Sequence, residues 1–339
     1  MDICKDSILD LIKNHLSGET LKEMQFEIGQ ILNLSASTAY NKISGRNEFS
    51  VLEFLQLSQA LEISIDRLLA SHNQKEFRPV YFYADGLEQK PNSFLEYFEK
   101  VMDNVVKAKP SAENIKATFV CLQPHVFHLM KYPFLLYLKL YTYNLVNWRI
   151  ASIDKYDPNV FLRDEQTMAL IKKLYHTYLS IPIAEMVGHN FIHPMCSQLE
   201  YLIKSGIISD PEHLKQIKVD LYQFLEDMEE VASKGVNTNS LGKETPVEIY
   251  INKFIHVSNI ILIETEEGGL LTIQCDVPEV VKTYDPIFIE HFKKWLNSNK
   301  EFAIYISKTG GLERKDFFQR NKKHIEMVME DLEKSVTKI

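Results

Sequence analysis

The stretch that most constrains this chain runs from Gln25 to Arg46 and reads QFEIGQILNLSASTAYNKISGR. Met24, Ile28, Ile31 and Leu32 fall at i, i+4, i+7 and i+8, which predicts a helix over about 21–32 with one apolar stripe. Gly29 sits beside that stripe, where a small residue lets a neighbouring helix approach. Asn33 tolerates the left-handed conformation that a sharp helix end requires, and Leu34 supplies an apolar plug in the turn. Ser35 is a good N-cap for a following helix in which Ala39 and Ile43 face inward. Ala36, Ser37, Tyr40, Asn41 and Ser44 are then left on the outer face.

The flanks extend this pattern into a helical module. Residues 7–16 predict a first helix with Ile8, Leu11 and Ile12 on one face, ended by Gly18. Ser50 and Glu53 form a capping box for a fourth helix, whose Phe54, Leu57, Ser58 and Leu61 share a face. Ser64 can cap a short fifth helix through Leu68 and Leu69. From Ile28 to Leu69 the sequence resembles the lambda-repressor-like (XRE/Cro-type) helix-turn-helix family. Gln25 falls where that family commonly opens its second helix with Gln, which implies a phosphate contact, and Gly45 matches the glycine after the recognition helix. Two departures stand out: Asn33 replaces the usual turn glycine, and Ile43 lies one residue closer to Gly45 than in the commonest pattern.

A helix of this kind reads DNA from the major groove. Ser37, Tyr40, Asn41 and Ser44 are expected to reach base edges, with Asn41 suited to a bidentate pair with adenine worth about 1–3 kcal/mol of discrimination. Lys42, Arg46 and Asn47 are expected to hold phosphates and set register. Gln25, Ser35 and Thr38 complete the expected DNA-facing set. Charge limits how such a surface can work. Residues 1–75 carry seven Lys and Arg against ten Asp and Glu, a net −3, and the whole chain carries −8. Between Ser35 and Asn47, however, Lys42 and Arg46 stand without an acid. So narrow a positive surface predicts weak binding by a monomer, strengthened by dimerisation and strongly salt-dependent.

Residues 71–93, with Pro79 and Pro91, read as a linker holding a short strand at Val80–Tyr83. Beyond it, helices are expected at about 92–107, 124–148, 163–180, 195–206 and 211–233. The last hundred residues change character. Phe254–Glu264 and Leu270–Cys275 flank a Gly-containing turn and predict a β-hairpin. A helix at Pro286–Leu296, a strand at Phe302–Ile306 and a final helix from Glu313 follow. The expected fold is therefore mostly α: a five-helix DNA-binding head (1–70), a linker (71–93), a helical regulatory or dimerisation region (94–240) and a small α/β unit (241–339).

Several further features admit two readings each. His189, His193 and Cys196 are spaced to share a helical face, as zinc ligands would, but Pro194 interrupts it and no fourth ligand is evident; such histidines, like His125 and His128, are more often packed or surface residues. The Ser307–Gly311 loop joins a strand to a helix without matching a phosphate-binding motif. Phe318, Ile325 and Leu332 recur every seven residues, as a dimer seam or as a face packed on the chain's own sheet. Tyr81, Phe82, Tyr83, Phe127 and Phe134, with Tyr137, Tyr141 and Tyr143, line either an apolar ligand pocket or a dense core.

No nucleophile–base pair, carboxylate pair or phosphate loop is legible, and no metal or cofactor is expected. Cys4, Cys121, Cys196 and Cys275 form no CxxC and read as reduced thiols of a cytoplasmic protein. Neither a signal peptide nor a stretch of about 18–20 apolar residues is evident, so no membrane partner is expected. The expected function is a sequence-specific transcriptional regulator that binds double-stranded DNA as a homodimer, with a body open to a small-molecule or peptide effector. The alternatives are a helical peptide- or protein-binding sensor, or an enzyme with an accessory helix-turn-helix.

Overall fold

A computed structural model of the protein describes residues 9, 12–13, 16, 20–61, 63, 80, 82–84, 90–107, 115–255, 259–266, 268–275 and 280–336. The chain divides into two units, Met1–Tyr81 and Phe82–Ile339.

In the first unit, polar side chains at the helix starts satisfy backbone N–H groups that have no partner within the helix. Helix α1 (Leu21–Ile31) begins with a Thr20/Glu23 capping box, α2 (Ala36–Ile43) with Ser35, and α3 (Val51–Ala60) with a Ser50/Glu53 box. Between α1 and α2 the chain turns at Asn33, whose φ is 53°. Leu34 N–H donates to Gly29 O at 2.9 Å and Asn33 N–H to Gln30 O at 3.4 Å, the paired bonds of a Schellman ending. Gly29 packs closely here: an added Cβ would lie 3.3 Å from Leu34 O, so the turn would have to give by a few tenths of an ångström, and Ala39 Cβ would stand at ordinary contact, 3.9 Å away. Ile12, Ile28, Ala39, Ile43, Leu57 and Ile63 form the buried core. The expected five-helix head is not what the structure describes: three short helices follow helical residues at Leu9 and Ile12–Lys13, and the expected Ser64–Leu69 helix lies outside the described residues.

The second unit overturns the mostly α expectation. It is built on an eight-stranded mixed sheet that crosses the expected boundary at residue 240. The strands are β1 (Lys116–Cys121), β2 (Ile183–Gly188), β3 (Val236–Thr238), β4 (Glu244–Asn252), β5 (Ile260–Thr265), β6 (Gly268–Gln274), β7 (Val280–Thr283) and β8 (Ile304–Tyr305), in spatial order β3-β4-β2-β1-β5-β6-β7, with β8 also on β4. β4, β2 and β1 are parallel, and the strands beside them run antiparallel.

Long helical crossovers make those parallel pairings possible. After α4 (Phe94–Lys107), β1 is joined to β2 through α5 (Val126–Leu129), α6 (Pro133–Tyr143), a π-helical turn (Asn144–Trp148), α7 (Pro158–Arg163) and α8 (Glu165–Tyr178). β2 reaches β4 through α9 (His193–Lys204), α10 (Pro211–Lys234) and β3. The two remaining helices are α11 (Pro286–Glu301) and α12 (Gly311–Val336). On the opposite face of the sheet, α11 sets Ile289, Phe292 and Leu296 against Val120, Leu262 and Leu271. α12 packs on α9 and α10, with Phe318, Ile325 and Leu332 fully buried. The seven-residue repeat therefore faces the unit's own core.

The Ser307–Gly311 loop turns back onto the body. Lys308 N–H donates to Ala232 O at 2.9 Å, and Ile249 N–H donates to Ser307 Oγ at 2.9 Å. Only glycine fits at 310, since a Cβ there would stand 2.2 Å from Tyr305 O.

Candidate functional site

The expected DNA-facing residues separate into an outward set and an inward one. Ser37, Ser44, Arg46 and Asn47 are exposed, whereas Thr38, Tyr40 and Asn41 are half-buried with part of each surface in solvent. Ser35 Oγ accepts from Thr38 N–H at 3.3 Å and lies 3.2 Å from Ser37 Oγ and 2.9 Å from Thr38 Oγ1. Three hydroxyls thus cluster at the start of α2. The Arg46 guanidinium lies over the Tyr40 ring at 5.5 Å, which holds the cation beside the outer face of that helix. Asn47 N–H donates to Asn41 O at 3.0 Å, fixing the chain as it leaves α2.

Gln25 is half-buried, and its Nε2 donates to Ala36 O at 2.7 Å, tying α1 to the first turn of α2. Lys42 is the inward member. It is 8% exposed, and its ammonium donates to Glu48 O at 2.8 Å and to Glu53 Oε2 at 2.9 Å. Hydrogen bonds from Lys42 and from the Ser50 backbone hold the Glu53 carboxyl below its ordinary range. Lys42, expected to hold a phosphate, is thus turned inward. Its charge closes a bridge between α2 and the capping box of α3, leaving Arg46 as the exposed cation of the Ser35–Asn47 stretch. Periodicity alone cannot separate these two roles, because a lysine at an inward helical position looks like any other lysine.

The second unit contains a feature that the sequence pattern does not reveal. Register places Ile249, Glu185, Phe119, Ile261, Thr272 and Lys282 side by side in one row across six strands. Neighbours in such a row project to the same face of the sheet. Toward one end, Glu185 is buried between His128 Nε2 at 2.9 Å and the Tyr178 hydroxyl at 3.0 Å. Burial pushes the Glu185 carboxyl up, but the His128 and Tyr178 contacts outweigh it and hold the group below its usual range. At the other end, Lys282 is 6% exposed and donates to Asn104 Oδ1 at 2.8 Å.

Between them, over Phe119, Ile261 and Thr272, lies a cavity of about 230 Å³. Tyr97 and Val101 of α4, Leu174 and Tyr178 of α8, Phe127 and Trp148 also line it. His125 shares the lining, and burial holds its imidazole neutral, with a pKa lowered to about 3.

Other candidate chemistry is placed elsewhere. Cys196 is buried in the core, His189 contacts Arg320, and His193 stacks on His324 with ring centroids 3.5 Å apart. No group of three His, Cys, Asp or Glu among the described residues can hold a metal ion. Burial pushes the Cys121 thiol well up, toward its unreactive neutral form. Of the expected aromatic cluster, Phe127 lines the cavity, Tyr137, Tyr141 and Tyr143 are buried core residues, and Phe134 is packed against that core. Phe82 packs on Phe288, Tyr83 on Tyr284, and Tyr81 lies outside the described residues. No helix among the described residues is long and apolar enough to cross a membrane. Comparison of the chain with protein-family models, curated proteins and solved structures finds no match.

Proposed function

We propose that the chain is a sequence-specific DNA-binding regulator of transcription that acts as a homodimer, with α2 as its reading helix. One observation carries this reading. A left-handed Asn33 turn sets up a Ser35-capped helix whose outward residues from Ser35 to Asn47, Ala36 apart, are polar or cationic and include no acid. Ser37, Tyr40, Asn41 and Ser44 supply hydroxyl and amide groups for base edges. Arg46, held over Tyr40, supplies a charge for a phosphate. The hydroxyls of Ser35 and Thr38, the Gln25 amide and Asn47 supply further polar groups around the edge of that surface. Since Lys42 is engaged by Glu53, one such surface carries little positive charge, and two copies on a pseudo-palindromic site compensate for it.

Titration of the full chain on a pool of duplexes, at several salt concentrations, tests the assignment. Asn41→Ala should relax base preference at one position of each half-site. Arg46→Ala should weaken all sequences about equally and lower the salt slope by about 1. If both variants bind like the unmodified chain at low salt, α2 is not the reading helix.

A further inference from the structure

We propose that a second, smaller cavity, between α8, α10 and the β3–β4–β2 end of the sheet, is a binding site for a small primary alkylammonium ion. Register sets its floor. Asn237 pairs with Thr245 and Ile249 with Glu185, while Thr245, Val247 and Ile249 alternate onto one face of β4. Asn237 and Glu185 therefore project to the same side of the sheet. Both line a cavity of about 70 Å³, and Phe224, Met228 and Val231 of α10 close its sides with apolar groups. A water needs about 10–15 Å³ of such space, so the cavity takes a ligand of a few heavy atoms.

Charge sets the sign of that ligand. Glu185 and Asp227 line the cavity, and no described Lys or Arg does. Asp227 is paired with Lys131 and accepts from the Tyr132 hydroxyl, so its charge is met. Glu185 is different. His125 N–H donates to His128 Nδ1 at 2.9 Å, which places the ring's hydrogen on Nε2, toward Glu185. His128 and the Tyr178 hydroxyl thus reach Glu185 as uncharged donors, both to Oε1, and favour its ionised form. One negative charge is left without a cation, and a ligand of charge +1 balances it.

Unmet hydrogen bonds set the head group. Glu185 is 4% exposed and Asn237 6%. Among the described residues, neither Glu185 Oε2 nor the Asn237 amide has a hydrogen-bond partner. The Tyr175 hydroxyl, at the half-buried rim of the cavity, has none either. Buried polar groups left in this way are uncommon and costly. Three oxygen acceptors around one cavity match the three N–H groups of a primary ammonium. The apolar walls favour a short alkyl tail over a bare ion.

Full-length protein would be titrated calorimetrically with methylammonium, potassium, tetramethylammonium and methanol at constant ionic strength. Methylammonium should bind at least about tenfold more tightly than the other three, which lack either the charge or the N–H donors. Glu185→Gln should weaken methylammonium roughly 10–100-fold, since it removes a charge-assisted hydrogen bond and presents an amide in its place. Asn237→Leu should weaken it about threefold to tenfold, the loss of a neutral hydrogen bond. No binding of methylammonium, equal affinity for potassium or tetramethylammonium, or an unchanged affinity in either variant would overturn the proposal. The comparison of ions in the parent protein, with Asn237→Leu, keeps the test decisive even where Glu185→Gln does not fold. Binding is read without DNA, so its failure leaves the proposed function of α2 untouched.

Discussion

The two units store their structure differently in the sequence. Among the described residues of the first, the side-chain hydrogen bonds at its caps and turn are short-range: Ser35 to Thr38, Ser50 to Glu53, and the eleven residues from Lys42 to Glu53 or from Gln25 to Ala36. In the second, the bonds that matter most join distant residues: His128 with Glu185, 57 positions apart, and Lys282 with Asn104, 178 apart. A local code can be read from spacing and caps alone. A register code exists only after the strands have paired. This contrast predicts that single substitutions at caps cost little, whereas substitutions in the cross-sheet row cost much.

The sharpest way to break the comparison is Glu185→Ala. It leaves the His128 ring and the Tyr178 hydroxyl without their shared buried partner, and removing one side of a buried polar pair typically costs about 3–5 kcal/mol. Both tryptophans lie in the second unit, so urea unfolding followed by their fluorescence reports that unit. A loss below about 1 kcal/mol would mean that the row does not hold the body together.

A smaller effect is expected at Lys139. This side chain is 1% exposed and donates to Gln123 Oε1 at 2.7 Å, with its ammonium 5.6 Å from the Tyr143 ring centroid. Burial lowers its pKa from 10.5 to about 7. The sign follows from proton counting. Between these two values the unfolded chain binds more protons than the folded one, so the Lys139 contribution to stability rises with pH. From pH 7 to 9 the protein should gain about 2 kcal/mol relative to Lys139→Met. A flat difference between the two profiles would show that the Lys139 amine is not held away from water, and would weaken the contrast between the units.

Cap substitutions come last. Ser35→Ala should cost about 1 kcal/mol, because one N–H at the start of α2 loses its acceptor. Lys42→Met should speed hydrogen exchange across Ala36–Ile43, through loss of the Glu53 bridge, while changing the salt slope of DNA binding less than Arg46→Ala does. A larger salt-slope change in Lys42→Met would return Lys42 to the phosphate contacts.

The same contrast explains what sequence reading reached. The α1–α2 turn, the Ser35 cap and the Ser50/Glu53 box were all legible because each depends on residues within one or two helical turns. α9 and α10 lie within two residues of their expected limits, since each carries its own period. β5 begins at Ile260, six residues after the expected start, and α11 runs on to Glu301, five beyond the expected end. The central strands β1 (KATFVC) and β2 (IAEMVG) were missed because parallel strands covered on both faces show short apolar runs instead of alternation. β4 is a different case: Val247, Ile249 and Ile251 alternate and are buried, so its sequence does carry the period of a strand. Without these three strands the body reads as helical, and the cavity, which rests on their register with β5–β7, has no sequence signature. Lys42 shows the limit on the other side. Its spacing fits a phosphate contact, and only the packing of α3 reveals Glu53 as its partner.

The central claim is that α2 reads DNA in the major groove as part of a symmetric pair. Selection of bound duplexes from a random pool by the full-length chain, sequenced after several rounds, tests it most directly. The account predicts an enriched pseudo-palindrome with half-site centres about 34 Å apart, one turn of the double helix, and altered enrichment in Asn41→Ala at one base pair of each half-site. A pool that remains random, or an enriched motif that Asn41→Ala leaves unchanged, would contradict it.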